Sequence, residues 1–219
     1  MPARFEPRLE TLPEAQRTPW PRLSPCLAMG LVLYGGTAIA LQLGHRASVD
    51  FDFFGSAPLD KARLRHVMPF LSGATLLQDE PNTLVASVAL PAEPVRLSFF
   101  GGLSLGRVGE PRRTDDGVLL VASPLDLMAT KLKAILDRAE SKDYVDLAAL
   151  LRSGLSLADG LAAFRTLFDG ESAVALKAIG YYGDGDLRSV PEADRQVPRE
   201  ARDGVRLIPE LRRKSAQLN

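Results

Sequence analysis

The hydrophobic pattern of this 219-residue chain changes character near residue 123. Before that point, short apolar runs alternate with turns rich in glycine, proline and aspartate, which predicts strands and short helices. After it, apolar residues recur at helical spacing, which predicts a series of helices. We therefore expect an α/β core over residues 1–122 and a helical region over residues 123–219, although the two could form one continuous domain.

Short apolar segments predict the strands of the first part. Their ranges are 31–34, 49–54, 74–79, 83–90, 95–100 and 118–121. Helical spacing predicts helices over 8–18, 37–43 and 59–71. Gly44 follows the second of these helices, at a position where a glycine commonly ends a helix.

The second part is predicted to contain four helices. Their ranges are 124–139, 142–151, 157–168 and 173–179. Ser123 and Pro124 form a favourable start for the first of them. Its apolar side chains form one stripe, made of Leu125, Met128, Ala129, Leu132, Ile135 and Leu136. After Tyr182 only a short amphipathic segment is predicted, near residues 203–214.

The strand predicted near residue 50 carries two acidic side chains. Asp50 and Asp52 are two residues apart, so in a strand they point to the same face, while Val49, Phe51 and Phe53 would be buried on the other. Two carboxylates this close repel each other unless a cation lies between them. Mg²⁺ is the obvious candidate, because it binds carboxylate oxygens and keeps water or substrate phosphates as its other ligands. An exposed strand face without a metal could also carry two carboxylates.

A glycine-rich turn, Gly35-Gly36-Thr37, lies just before a predicted helix. Glycines allow backbone N–H groups to approach phosphate oxygens, and a helix N-terminus adds a favourable partial charge. The Thr37 hydroxyl could bind a phosphate or cap the helix. An ordinary strand-to-helix turn would have the same sequence, so the turn alone is a weak signal of phosphate binding.

Composition narrows the possible classes of protein. The 27 basic residues balance the 27 acidic ones, which argues against a strongly basic nucleic-acid-binding protein, although a local patch could be hidden in the total. The single cysteine excludes a disulfide within the chain and fits a reducing, cytoplasmic location. The N-terminal segment lacks the apolar region of a signal peptide, and no apolar run approaches ~18 residues, so we expect no membrane span.

Further motifs accompany the turn and the acidic pair. They are Gly44-His45-Arg46, Ser48, Lys131 to Arg138, Lys142-Asp143-Tyr144, Asp146-Leu147 and, more weakly, Ala178 to Asp186. Together with Gly-Gly-Thr and Asp-Phe-Asp-Phe-Phe, this set resembles the AbiEii/AbiGii-type branch of the nucleotidyltransferase superfamily. That branch includes toxins of bacterial type IV toxin–antitoxin systems. The matching motifs span most of residues 31–186.

The resemblance implies a fold, a reaction and partners. It implies an α+β fold in which a nucleotidyltransferase-like mixed sheet is flanked by helices and followed by a helical C-terminal region. It also implies transfer of a nucleoside monophosphate from an NTP, with Mg²⁺ (or Mn²⁺) as cofactor. The acceptor would be a hydroxyl of an RNA, such as a tRNA, or of a protein, and a cognate antitoxin is a possible partner.

The same resemblance implies roles for individual residues. Asp50 and Asp52 would bind the metal and serve catalysis. The Gly35-Gly36-Thr37 turn would bind the β- and γ-phosphates. Lys131 would bind the triphosphate, and Arg46 could reach the base or the triphosphate.

The downstream charged motif leaves alternatives open. Lys131 and Arg138 are seven residues apart, so both lie on nearly the same line of the helix, at the edge of its apolar stripe. Lys131 could instead be a surface lysine, and Arg138 could bind phosphate or form an ion pair with Asp143 or Asp146. The two aspartates share a helix face. They could be required for function, or they could be a structural pair that orients the cations.

One strand departs from the nucleotidyltransferase pattern. Such enzymes generally have a third carboxylate on a later strand, which deprotonates or orients the attacking hydroxyl. In the predicted strand 95–100, Ser98 occupies the position where an aspartate is expected. Either the base comes from elsewhere, with Asp143 as a candidate, or the rate is low, or the chain is an inactive nucleotide-binding or regulatory protein of the same fold.

Overall fold

The computed structural model describes residues 2–219, which form two compact units. The first unit contains residues 2–106, 110–122 and 215–219, and the second contains residues 107–109 and 123–214. Nothing in the hydrophobic pattern reveals that the last five residues belong to the first unit. The described chain mixes helices with one sheet, which confirms the expected α+β class.

The first unit is built on a mixed sheet of eight strands. The strands are β1 (Arg4–Phe5), β2 (Val32–Tyr34), β3 (Asp50–Phe54), β4 (Thr75–Glu80), β5 (Thr83–Val88), β6 (Val95–Phe100), β7 (Arg112–Thr114) and β8 (Leu120–Val121). Their order across the sheet is β1-β7-β8-β2-β3-β6-β5-β4. At the centre, β3 pairs antiparallel with β2 and parallel with β6.

Alternating aromatic residues bury one face of these central strands. Phe51 and Phe53 on β3, and Leu97 and Phe99 on β6, are fully buried. The rings of Phe53 and Phe99 are stacked, with centroids 5.2 Å apart. Burial of these large side chains fixes which face of β3 and β6 points to the core, because a shift of one residue would expose all of them.

Short helices complete the first unit. The α-helices are α1 (Glu14–Arg17), α2 (Pro25–Ala28), α3 (Gly35–Leu43) and α4 (Lys61–Val67), and the 3-10 helices are Leu9–Thr11, Trp20–Leu23 and Pro69–Gly73. The single helix predicted over 8–18 is wrong, because Pro13 separates a 3-10 turn from α1. The helix predicted over 59–71 is shorter for a similar reason, since Pro69 begins a 3-10 turn.

The second unit is helical. Its elements are α5 (Pro124–Asp137), α6 (Ser141–Arg152), α7 (Leu157–Phe168), α8 (Ser172–Ile179), a 3-10 turn (Leu187–Ser189) and α9 (Glu192–Gly204). Helix α5 packs closely on α7, because a Cβ atom at Gly160 would lie 2.2 Å from the Met128 sulfur. Most of the predicted α5 stripe is buried, but Leu125 and Leu136 at its two ends are only half-buried. Within residues 2–219, no helix is long and apolar enough to cross a membrane.

Several elements are absent from the sequence prediction, among them α9 and the strands β1 and β7. Helix α9 covers a region for which only a short segment near 203–214 is predicted. It contains Pro198, and a proline inside a helix removes one backbone hydrogen bond, so the sequence signal is weak. Strands β1 and β7 pair in parallel over Arg4–Phe5, which is too short for periodicity to detect.

Candidate active site

The acidic strand β3 presents two carboxylates on one face of the sheet. Asp50 and Asp52 are half-buried, and they alternate with the fully buried Phe51 and Phe53. Val49, expected to be buried with those phenylalanines, is 48% exposed. That expectation is wrong because the strand begins one residue later, at Asp50.

Hydrogen bonds from a distant segment fix the chain just before β3. The Gln16 side-chain amide donates to the Val49 carbonyl at 3.2 Å, and Gln16 is almost fully buried. The backbone N–H of Ser48 donates to the Thr11 carbonyl at 3.1 Å. These two contacts hold the start of β3, and therefore the direction of its first carboxylate.

The glycine turn brings the N-terminus of α3 against Asp52. Helix α3 begins at Gly35, directly after β2, and the side chain of its N-cap residue, Tyr34, makes no capping hydrogen bond. Gly35 has φ +73°, and a Cβ atom there would lie 2.5 Å from Oδ2 of Asp52. Only glycine therefore combines this backbone conformation with this close approach to the carboxylate.

Thr37 uses its hydroxyl for hydrogen bonds within the first unit. Its side chain is buried, and its Oγ1 donates a short hydrogen bond to the backbone carbonyl of Asp50. The same Oγ1 lies 2.8 Å from the Ser48 hydroxyl. The hydroxyl therefore joins α3 to β3. Phosphate binding by Thr37 stays a prediction.

Ser98 stands beside Asp52 on the neighbouring strand. The parallel register pairs Asp52 with Ser98 and Asp50 with Arg96. Ser98 is 1% exposed, and its Oγ has no hydrogen-bond partner among the described residues. Within residues 2–219, no group of three or more His, Cys, Asp or Glu side chains could hold a metal ion. A metal at β3 would therefore have two carboxylate ligands from the protein.

Lys131 lies inside the second unit. It is 5% exposed, and its Nζ donates to Asp143 Oδ1 at 2.7 Å and lies 2.6 Å from Asp146 Oδ2. Both aspartates are on α6 and are fully buried. The alternative of a surface lysine is therefore wrong, and the two aspartates do orient this cation.

Arg138 pairs with the same aspartate from the protein surface. Its Nε donates to Asp143 Oδ2 at 2.8 Å and its Nη2 donates to Oδ1 at 3.2 Å, while its side chain is 46% exposed. Burial alone would raise the pKa of Asp143, but the hydrogen bonds from Arg138 and the charge of Lys131 outweigh it and hold that pKa below its ordinary value. A carboxylate stabilised in this way is a weak base. Asp143, the candidate for the missing base, accepts hydrogen bonds from both Lys131 and Arg138, and its catalytic role stays a prediction.

Asp126, which the sequence analysis misses, holds the start of α5. The Ser123 hydroxyl donates to Asp126 Oδ2 at 2.6 Å, and the Asp126 N–H donates to Ser123 Oγ at 3.1 Å. The carboxylate also accepts the Val108 N–H at 2.8 Å. Burial raises the pKa of Asp126 although these hydrogen bonds oppose the shift. The signal in the sequence is a Ser followed three residues later by an acidic residue, a variant of the capping box.

The predicted site residues thus form two groups, one in each unit. The first unit brings Asp50 and Asp52 together with the Gly35-Gly36-Thr37 turn. In the loop between α3 and β3, the half-buried Arg46 donates to the carbonyl of its neighbour Ala47 at 2.9 Å. The second unit brings Lys131, Arg138 and Asp143 together.

The sequence matches known proteins in two ways. It is 31% identical over 122 residues to an uncharacterized protein of Aquifex aeolicus (strain VF5). That match covers 55% of this chain and 57% of the relative, so the chain spans little more than half of that protein's length. The family model described as nucleotidyl transferase AbiEii toxin, type IV toxin–antitoxin system, matches residues 26–214, which include both groups of site residues. The resemblance is thereby confirmed, and the chain belongs to the AbiEii nucleotidyl transferase toxin family.

Proposed function

We propose that the chain is a Mg²⁺-dependent nucleotidyltransferase that moves a nucleoside monophosphate from an NTP to a hydroxyl of an RNA or a protein. We further propose that it acts as the toxin of a pair with a cognate antitoxin, as its family membership suggests. One observation carries the proposal. Asp50 and Asp52 share a face of β3, and the N-terminus of α3 approaches Asp52 at Gly35.

The donor atoms on β3 fit a hard divalent cation. Mg²⁺ and Mn²⁺ prefer oxygen ligands, and Mg²⁺ is commonly held by one or two carboxylates together with substrate phosphates. Asp50 and Asp52 would be the protein ligands. When bound, the cation would neutralise charge on the phosphates and polarise the α-phosphate.

The N-terminus of α3 would bind the β- and γ-phosphates. Backbone N–H groups of Gly35, Gly36 and Thr37 are donors at a helix end whose partial charge favours anions. The missing side chain at Gly35 allows the Asp52 carboxylate to lie directly against the start of this helix. The Thr37 hydroxyl would act indirectly, because its hydrogen bond to the Asp50 carbonyl holds β3 in place.

The charged group of the second unit supports a separate proposal. An ammonium group has three N–H donors, and the contacts of Lys131 with Asp143 and Asp146 use two of them. We propose that the third donates to a triphosphate oxygen and that Asp143 positions Lys131. Arg138 could add a further phosphate contact from its exposed side, and Arg46 could contact the base or the triphosphate.

Ser98 favours a second candidate function. A serine cannot replace the carboxylate that usually orients the attacking hydroxyl in this superfamily, so the chain could bind nucleotide and transfer it slowly or not at all. In that case it would be a regulatory or nucleotide-binding protein of the same fold. The two candidates differ in whether bound nucleotide is converted to product.

Incubation of the purified protein with each labelled NTP, Mg²⁺ and total tRNA tests transfer directly. We expect incorporation from at least one NTP, and we expect the double variant Asp50→Ala, Asp52→Ala to abolish it. A control double variant, Glu80→Ala, Glu93→Ala, removes two exposed carboxylates from the same unit and should keep the activity. In a bacterial host, the native and control proteins should arrest growth and the acidic-pair variant should not.

Absence of product above that of the acidic-pair variant would contradict transfer to tRNA. Calorimetry with NTP and Mg²⁺ then tests whether the protein binds nucleotide. Binding without product in any assay favours the regulatory or nucleotide-binding function.

A further inference from the structure

We propose that the first unit has a further ligand site, which binds a small amphiphilic carboxylate such as a medium-chain fatty acid. The site is a cleft of about 390 Å³, here named the Met68 cleft. It lies between the segment 22–25, where a 3-10 helix meets α2, and the corner 67–70 after α4. None of its lining residues belongs to the predicted nucleotide site, so the inference does not depend on the proposed function.

Apolar side chains form the walls of the Met68 cleft. They are Pro25 at the start of α2, Val67 at the end of α4, and Met68, Pro69 and Phe70 in the corner that follows. Met68 is fully buried, whereas Pro25, Val67 and Phe70 are half-buried, so apolar surface faces the solvent here. Small-molecule sites are usually clefts of about 300–1,000 Å³ with mostly apolar walls and a few polar groups. The Met68 cleft has this size and this composition.

Backbone hydrogen bonds hold the walls of the cleft in place before any ligand binds. The Met68 N–H donates to the Leu64 carbonyl at 3.0 Å, and the Leu71 N–H donates to the Met68 carbonyl at 3.0 Å. The Arg63 Nη2 donates to the Ala28 carbonyl at 3.4 Å, which joins α4 to the end of α2. A proline on each side restricts the backbone further. A preformed cleft of this kind loses little conformational entropy when a ligand binds.

One cation lies at the open side of this apolar cleft. Arg22 and Ser24 are its two polar lining residues, and both are exposed. Within residues 2–219, no carboxylate forms an ion pair with the Arg22 guanidinium, and the Ser24 hydroxyl makes no capping hydrogen bond to α2. A guanidinium can bind a carboxylate through two parallel hydrogen bonds. A ligand carboxylate at Arg22 would therefore place an attached apolar chain against Met68 and Phe70.

The charge of the cleft selects one class of ligand. Arg22 is its only charged lining residue, so no acidic side chain repels an anion there. A neutral apolar ligand would leave the guanidinium unused, and an amine would be repelled by it. A highly charged anion such as an NTP would bring several charges against apolar walls, which is unfavourable. An apolar chain with a single carboxylate matches both the walls and the charge.

Octanoate is a suitable probe, because it joins a carboxylate to an apolar chain. A ligand that binds only the folded protein raises the urea midpoint of unfolding. The fluorescence of Trp20 measures that midpoint, because Trp20 is the chain's one tryptophan and lies in the same 3-10 helix as Arg22. We expect octanoate to raise the midpoint with a dissociation constant of about 1 mM or tighter. Acetate and octylammonium should leave it unchanged, since each lacks one of the two matching parts.

Two matched pairs of variants locate the site. Arg22→Gln removes the charge at the cleft, and Arg17→Gln removes an exposed arginine that does not line it. Val67→Phe fills the cleft, and Ala62→Phe adds the same ring at an exposed position of the same helix. We expect Arg22→Gln and Val67→Phe to weaken octanoate binding at least about tenfold. The two controls and the acidic-pair variant should bind octanoate as the native protein does.

The inference is overturned if octanoate leaves the midpoint of the native protein unchanged, or if octylammonium raises it as much as octanoate does. It is also overturned if Arg22→Gln binds octanoate as tightly as Arg17→Gln, or if the acidic-pair variant loses octanoate binding, since the ligand would then occupy the predicted nucleotide site. If Val67→Phe does not fold, the three probes and the two arginine variants still decide. A protein that binds octanoate but forms no nucleotide-transfer product contradicts the proposed function alone.

Discussion

Lys131 shows how burial determines the role of a single charged residue. Its ammonium group is 5% exposed and contacts two fully buried carboxylates, so each charge stabilises the others in a region with little water. Removing one member of such a group leaves an uncompensated buried charge, which is strongly unfavourable. Two residues along the same helix, Lys133 pairs with Asp137 in solvent, with side chains 41% and 54% exposed. These two lysines have the same chemistry in opposite environments.

Replacing each lysine by methionine should therefore give very different results. We expect Lys131→Met to lower the free energy of unfolding by about 3–5 kcal/mol, because Asp143 and Asp146 remain buried without the ammonium group. We expect Lys133→Met to lower it by less than about 1 kcal/mol, because exposed ion pairs contribute little. Urea unfolding followed by far-UV circular dichroism measures both. Equally small losses of stability in the two variants would contradict a stabilising role for the buried ion pairs of Lys131. In that case, an effect of Lys131→Met on triphosphate binding could be attributed to the missing ammonium group and not to lost stability.

At the scale of elements, α3 is bounded by two glycines with nearly the same positive φ angle. Gly35 has φ +73° at its start and Gly44 has φ +71° just after its end. A Cβ atom at Gly35 would meet the Asp52 carboxylate at 2.5 Å, whereas one at Gly44 would meet the flexible Arg8 side chain at 2.7 Å. A side chain would therefore strain the backbone at both ends, because φ is positive, but only one end touches the acidic pair.

Gly35→Ala and Gly44→Ala should therefore separate stability from activity. Both should lower the free energy of unfolding by about 1–2 kcal/mol, because a left-handed conformation is unfavourable for alanine. Gly35→Ala should also displace the Asp52 carboxylate and lower the rate of nucleotide transfer by about 100-fold. Gly44→Ala should keep a rate close to that of the native protein when assayed well below its unfolding temperature. Comparable rates for the two variants would show that Gly35 has no special place in the site.

The elements that the sequence predicts are those whose signal is local. Alternation in Asp50-Phe51-Asp52-Phe53 is enough to assign the two faces of β3, and helical spacing gives the bounds of α7 correctly. The features that the sequence does not predict depend on contacts with distant parts of the chain. The burial of Lys131 depends on α6, and the use of the Thr37 hydroxyl depends on the position of β3. Neither contact leaves a periodic signal in the sequence.

At the scale of the whole molecule, the chain returns to its first unit after completing the second. Residues 215–219 belong to the first unit, where Leu218 is 1% exposed and its backbone N–H donates to the Ser56 hydroxyl at 3.0 Å. Residues 205–214 belong to the second unit, and Leu207 among them is 80% exposed. Two leucines eleven positions apart thus differ in both burial and unit.

Alanine substitutions at these two leucines test whether the last residues stabilise the first unit. Leu218→Ala should lower its free energy of unfolding by about 2–5 kcal/mol, because it removes a fully buried side chain and leaves a cavity. Leu207→Ala should change it by less than about 0.5 kcal/mol, because that side chain is already in water. Trp20 is a natural reporter for this measurement, since it is buried in the first unit and its ring N–H donates to Asp116 at 2.7 Å. In urea titrations followed by Trp20 fluorescence, only Leu218→Ala should unfold at a lower urea concentration than the native protein. If both variants unfold at the same urea concentration as the native protein, residues 215–219 do not stabilise the sheet that carries Asp50 and Asp52.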